Sequence, residues 1–202
     1  MEKIINIFGD SIAWGASDEE KGGWVNRLKE HLKKDEQNNF EVYNLGICGG
    51  DTDGLVRRFF AENESRKPNV IIIAIGINDS QYISSKDNPR IPLEKFEENL
   101  LNIIKQSKTI TKEIIFIGIT KIDEKKLMPI PWNPTIYGEE KDVIVYNSKI
   151  KEICEKNNLM FIEMQGLLGN SDLNDDGLHP SAEGHEKMFQ KIKDFLIENK
   201  II

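Results

Sequence analysis

Short apolar runs rich in Ile, Val and Phe recur along the chain, separated by longer segments in which apolar residues return every three or four positions. The runs are Ile4 to Phe8, Phe40 to Tyr43, Val70 to Ile75, Ile114 to Ile119 and Leu159 to Ile162, each with the length and β-branched content of a strand. Val70 to Ile75 and Ile114 to Ile119 are almost continuously apolar, the pattern of central strands covered on both faces. Helical periodicity fills the intervals at Trp24 to Lys33, Thr52 to Asn63, Leu93 to Ser107, Val143 to Asn157 and Ser181 to Asn199. In the last of these the stripe is Met188, Ile192, Phe195 and Leu196. This alternation predicts an α/β fold, with about five parallel strands joined by right-handed crossovers and helices on both faces, a three-layer α/β/α sandwich. Two connections, Asn78 to Pro92 and Thr120 to Asp142, are longer than such a unit needs. The second is apolar from Leu127 to Tyr137, so it either walls a pocket or forms a satellite cluster beneath a loop.

A chain of 202 residues buries one sizeable core, and the expected organisation is a single domain over residues 1–202. With 39% hydrophobic and 30% charged residues it falls among ordinary globular chains, so function must be sought in particular sites. The net charge of -7 disfavours broad contact with nucleic acid, which needs a concentrated positive field. Met1 to Phe8 runs straight into a strand and lacks a signal-peptide pattern, and no segment reaches membrane-spanning length; a cytoplasmic location with no integral membrane segment is expected. Cys48 and Cys154 are the only cysteines and are expected to be free thiols.

In open α/β sheets, ligands bind beyond the carboxyl ends of the strands. Beyond the first strand lies Gly9-Asp10-Ser11; beyond the second, Asn44 to Thr52 with Gly46, Gly49 and Gly50; beyond the third, Gly76-Ile77-Asn78-Asp79; beyond the last, Asp176-Gly177-Leu178-His179-Pro180. Each alone is ordinary turn or cap chemistry. Together they put a hydroxyl, an imidazole, a carboxylate, an amide and a glycine turn on one sheet edge. A serine hydroxyl needs a base within hydrogen-bond reach and a third group to orient that base. His179 is the candidate base for Ser11, and Asp176, three residues earlier, the candidate orienter.

These four segments resemble, in order, the four blocks of the SGNH hydrolases, the GDSL-type esterases. The resemblance implies a flavodoxin-like fold, a Ser11-His179-Asp176 triad, and an oxyanion hole formed by the Ser11 N–H, a glycine N–H and the Asn78 side chain. The second block carries one glycine more than the usual Gly-Asp-Thr form, so the donor is Gly49 or Gly50. The implied activity is hydrolysis of a small-molecule carboxylic ester through an acyl-enzyme, without cofactor or metal. The family's substrates span simple esters, lysophospholipids, thioesters and acetylated sugars, and the apolar Leu127 to Tyr137 loop favours an acyl chain over a bare sugar. Asp10 reads as a brace of the turn, and Cys48 as a small buried neighbour of the oxyanion glycine. Trp14 and Trp24 are candidates for the acyl pocket or the core, while His31 and His185 read as surface or packing residues.

Two other classes compete. Asp172 to Glu183 satisfies the spacing of an EF-hand calcium loop, but the preceding segment, with Gly166 and Gly169, is a poor helix and Pro180 restricts the loop. A flavodoxin-like phosphate or flavin binder would use the glycines and serine after the first strand, yet leaves Asn78, Asp176 and His179 without work. Ser11 also lacks the Gly-x-Ser-x-Gly elbow of α/β-hydrolases.

Overall fold

In a computed structural model, which describes residues 2–34 and 39–202, five parallel strands form one sheet. They are β1 (Lys3–Gly9), β2 (Phe40–Gly46), β3 (Val70–Ala74), β5 (Glu113–Ile117) and β7 (Met160–Ile162), in the order β2-β1-β3-β5-β7. The helices are α1 (Ser11–Trp14), α2 (Gly23–Leu32), α3 (Thr52–Arg66), α4 (Leu93–Ser107), α5 (Glu140–Asn157) and α6 (Ala182–Glu198). From β1 the chain steps one way to β2, then reverses across β1 to β3 and continues to β5 and β7. Right-handed crossovers then force the first connecting helix and the later ones onto opposite faces. The packing follows this rule: α2 lies on α6, whereas α3, α4 and α5 form a row.

The elements form for local reasons. Ile71, Ile72 and Ile73 in β3 are stiff at χ1, suit an extended backbone and are fully buried. Helix α6 is capped by Ser181, whose hydroxyl accepts the Gly184 N–H at 3.2 Å, and it buries Met188, Ile192 and Leu196 against the sheet. Helix α3 runs beyond its periodic segment to Arg66, where αL Lys67 closes it by donating its N–H to the Asn63 carbonyl. Helix α5 starts earlier than its periodic segment, at Glu140, with Glu140 and Asp142 placing negative charge in its first turn, and αL Asn158 closes it. The four-residue α1 is too short to show periodicity and exists because Asp10 caps it and Gly15 closes it at φ +103°.

The two long connections pair with each other. β4 (Tyr82–Ile83) and β6 (Ile136–Tyr137) make a small antiparallel strap, with Tyr82 stacked on Tyr137 at 5.3 Å. Leu127 and Ile130 are buried beneath it. Among the described residues no helix is long and apolar enough to cross a membrane, and Cys48 and Cys154 are both free.

On one side of the sheet the buried Arg27 guanidinium meets the buried Asp18 carboxylate and also donates to Glu186 at 2.9 Å. Asp18 is buried too, and the hydrogen bond from Arg27, with those from the Gly23 and Lys21 N–H groups, outweighs that desolvation and holds its carboxyl below the ordinary range. Arg27→Met should therefore cost about 3–5 kcal/mol, because Asp18 stays buried without its counter-charge. Urea unfolding of the two proteins measures this, and a loss below about 1 kcal/mol would show that water reaches the pair.

Candidate active site

Ser11 owes its position to the end of β1. A Cβ on Gly9 would lie 2.5 Å from the Ala13 Cβ and 2.6 Å from the Ala74 carbonyl oxygen, so only glycine lets α1 turn this tightly against β3. Asp10 follows and accepts the Ile12 N–H at 2.9 Å, which makes it the brace expected from the sequence. Ser11 is then the first helical residue, where the backbone N–H has no intrahelical partner.

His179 reaches Ser11 from the loop before α6. Its Nε2 lies 2.8 Å from the Ser11 Oγ, and its Nδ1 lies 2.7 Å from the Asp176 Oδ2. These partners assign the proton to Nδ1, leaving Nε2 to accept from the serine. The Asp176 Oδ1 also accepts the N–H groups of Leu178 at 2.8 Å and His179 at 2.9 Å. Burial acts to raise the Asp176 carboxyl, but the hydrogen bonds from the His179 ring and these two N–H groups prevail, and it titrates below the ordinary carboxylate value. The loop is pinned by Asn174, whose N–H donates to the His179 carbonyl at 2.8 Å and whose side-chain amide donates to Ser17 at 3.0 Å.

In the glycine turn after β2 the Gly49 and Gly50 N–H groups differ in what they have left to offer. The Gly50 N–H donates to the Ile47 carbonyl at 2.8 Å, whereas the Gly49 N–H has no partner among the described residues and borders the Ser11 cleft. Gly49 sits at φ +71°, where a side chain would be strained. Asn78 donates one amide hydrogen to the Gly50 carbonyl at 2.8 Å, leaving the other available. Asn44 donates to the Ala13 carbonyl at 2.9 Å and accepts the Gly46 N–H at 3.0 Å, tying this turn to α1.

Ser11, Gly49, Asn78 and His179 open onto a cleft of about 240 Å³. Gln81 and Arg90, neither of them singled out from the sequence, also line it, as does Trp132 of the apolar loop expected to wall a pocket or form a satellite cluster. The Trp132 ring lies over the His179 imidazole with centroids 5.6 Å apart. The apolar loop thus both walls the site, through Trp132 and Ile136, and packs beneath it, through Leu127.

A model of the GDSL-like lipase/acylhydrolase family matches residues 7–187. The chain belongs to this family. Its members include carboxylic ester hydrolases. An acetylxylan esterase of Geobacillus stearothermophilus is 27% identical over 154 residues, 71% of this chain and 66% of that protein. A Bacillus subtilis lipoprotein described as uncharacterized is 34% identical over 106 residues, 50% of this chain and 42% of that one. The chain thus spans less than two thirds of either relative. The crystal structure of a lipase/acylhydrolase from Enterococcus faecalis superposes with a TM-score of 0.79 at 23% identity, covering 96% of this chain and 95% of that one, and so shares the fold.

Several residues of this GDSL-family chain differ from their sequence-based readings. Cys48 is exposed, not buried, because the turn that carries it stands off the sheet at the rim of the cleft. Trp14 is exposed on α1 and lines no part of the cleft, while Trp24 is wholly buried in the core. His185 is a packing residue: its Nε2 donates to the Ala16 carbonyl at 3.0 Å, its Nδ1 accepts the Trp24 N–H at 3.3 Å, and burial lowers its pKa. His31 is exposed and meets the edge of Phe189. In the segment with calcium-loop spacing the acidic side chains diverge. Asp172 accepts from Lys187 at 2.7 Å and from the Gly169 N–H, Asp176 faces His179, and Glu183 accepts from Ser181.

Asp79, next to Asn78, is fully buried. Its Oδ1 accepts from both the N–H and the hydroxyl of Thr52, and its Oδ2 has no partner among the described residues. Burial pushes its carboxyl up to about 7 against the pull of the Thr52 hydrogen bonds. The folded protein therefore keeps a proton that the unfolded chain releases near pH 4, and this contribution to stability fades as pH rises from about 4 through about 7. Asp79→Asn keeps the oxygen acceptor without titrating. The unfolding free energy of the wild type should fall relative to that of Asp79→Asn as pH rises across that window, and a constant difference would mean that Asp79 titrates normally.

Proposed function

We propose that this protein is a serine ester hydrolase that works through an acyl-enzyme on Ser11. The observation that carries the reading is the Ser11-His179-Asp176 relay, at 2.8 Å and 2.7 Å, beside N–H groups that have no other partner. Ser11 Oγ attacks the ester carbonyl carbon while His179 Nε2 takes its proton, and Asp176 holds the imidazolium in place. The carbonyl oxygen becomes an oxyanion that accepts hydrogen bonds from the Ser11 N–H, the Gly49 N–H and the free Asn78 amide hydrogen. Collapse of this intermediate expels the alcohol, protonated by His179. Water, activated by the same imidazole, then attacks the acyl-enzyme and releases the acid.

The cleft of about 240 Å³ lies below the range of roughly 300–1,000 Å³ for pockets that hold drug-sized ligands. Its apolar wall of Ile130, Trp132 and Ile136 suits a short acyl group. Similarity to an acetylxylan esterase supports the same choice of a small acyl ester.

With p-nitrophenyl acetate, Ser11→Ala and His179→Ala should abolish turnover, and Asn78→Ala should lower kcat by about 10²–10³. Rates should fall from acetate to longer acyl chains, and neither chelator nor calcium should change them. Undiminished hydrolysis by the Ser11 and His179 variants would sink the reading.

A further inference from the structure

The turn that carries Gly49 has little support of its own. Nothing lies within 4 Å of the position a Gly49 Cβ would take, and Gly49 sits at φ +71°. What holds it is the peptide plane between Gly49 and Gly50, fixed from both ends. Its N–H donates to the Ile47 carbonyl at 2.8 Å, and its carbonyl oxygen, that of Gly49, accepts from the Arg90 guanidinium. With that plane held, only the two Gly49 backbone torsions separate it from the Gly49 N–H, so fixing the plane limits where that N–H can point. Arg90 is anchored in turn. It donates to the Gln81 Oε1 at 3.2 Å and to the Asp51 Oδ2 at 3.3 Å, and its own backbone N–H donates to the Gln81 carbonyl at 2.7 Å. Asp51 caps α3 immediately after the turn, so the guanidinium grips both ends of the Gly49-Gly50-Asp51 segment.

We propose that Arg90 is a positioning residue that holds the Gly49 N–H in line for the oxyanion; this rests on the reading of Ser11 as an acyl-transfer nucleophile. The planar fork suits the task, because one guanidinium spans three acceptors that a single ammonium cannot reach together. Arg90 stands between the strap and the glycine turn, so the second half of the site is braced by a loop that contributes Asn78 as well. Because the N–H is used more strongly as charge develops on the substrate oxygen, loosening it should act on the chemical step more than on substrate binding.

The test measures p-nitrophenyl acetate hydrolysis and inhibition by phenylboronic acid, which forms a tetrahedral adduct with an active serine, for the wild type, Arg90→Ala and Arg90→Lys. Expected for Arg90→Ala is a kcat lower by about tenfold or more with KM within about twofold, and boronate binding weakened in step with kcat/KM. Arg90→Lys should fall between the two. A raised KM at unchanged kcat would mean that Arg90 binds substrate, and unchanged kinetics would mean that the turn holds itself; either overturns the proposal while leaving the Ser11 reading intact. A wild type without esterase activity removes that underlying reading instead. Should Arg90→Ala fail to fold by circular dichroism, Arg90→Lys and Arg90→Gln decide by the same split.

Discussion

Strands β1 and β3 lie side by side, but the chain leaves their carboxyl ends in opposite directions, toward β2 from one and toward β5 from the other. The two departing connections diverge, so a crevice opens between them. Ser11 stands at one lip and Asn78 at the other. The remaining parts of the site reach this crevice from farther away: the glycine turn from β2, and the His179 loop from the far edge strand β7. Reversal of strand order is thus the constraint that turns four distant segments into one site.

Holding the crevice in register requires polar groups inside an otherwise apolar core. Asn6 in β1 donates to Asn63 at 2.8 Å, and Asn63 donates to the Phe59 carbonyl at 2.9 Å, which locks α3 to β1 one layer beneath Ser11. At the other end of α3, Thr52 donates to Asp79 while its hydroxyl accepts from Asn99 at 3.0 Å, linking α3 to the loop of Asn78 and to α4. Such buried networks specify one arrangement among the many that apolar packing alone would tolerate, here with the Asn6 Oδ1 and Asp79 Oδ2 left without a partner among the described residues. The Asn78 loop and the glycine turn therefore inherit their positions from a helix fastened at both ends.

The strap adds a wall that the five-stranded sheet does not supply. Tyr82 donates to Glu139 at 3.2 Å, and Glu139 also pairs with Lys86 and with Lys141 at 2.8 Å, joining the two long connections at their base. From this base Trp132 extends over the His179 ring, and Gln81 and Arg90 face the glycine turn. This wall of the cleft is shaped in the part of the chain with the least regular pattern.

The alternation of apolar runs and amphipathic segments determined the layers, the five strands and the five longer helices, because burial on one face or two imposes a period that local sequence must carry. The Gly9-Asp10-Ser11 turn, Asn78, and the Asp176-His179 pair were legible because each follows a strand, and the fold sends all strand ends to one edge. Which of the Gly49 and Gly50 N–H groups stays free was not legible, since it depends on which is already spent on the Ile47 carbonyl. Nor was the exposure of Cys48, which depends on how far the turn stands from the sheet. Arg90, Gln81 and Trp132 carry no periodic signal, and their places follow from the pairing of β4 with β6, Tyr82 with Tyr137 and Ile83 with Ile136, far apart in the sequence. By itself the sequence determined which chemical groups meet at the sheet edge. Only the tertiary structure decided which hydrogen bonds each still has to offer there, because that depends on partners brought close by the fold.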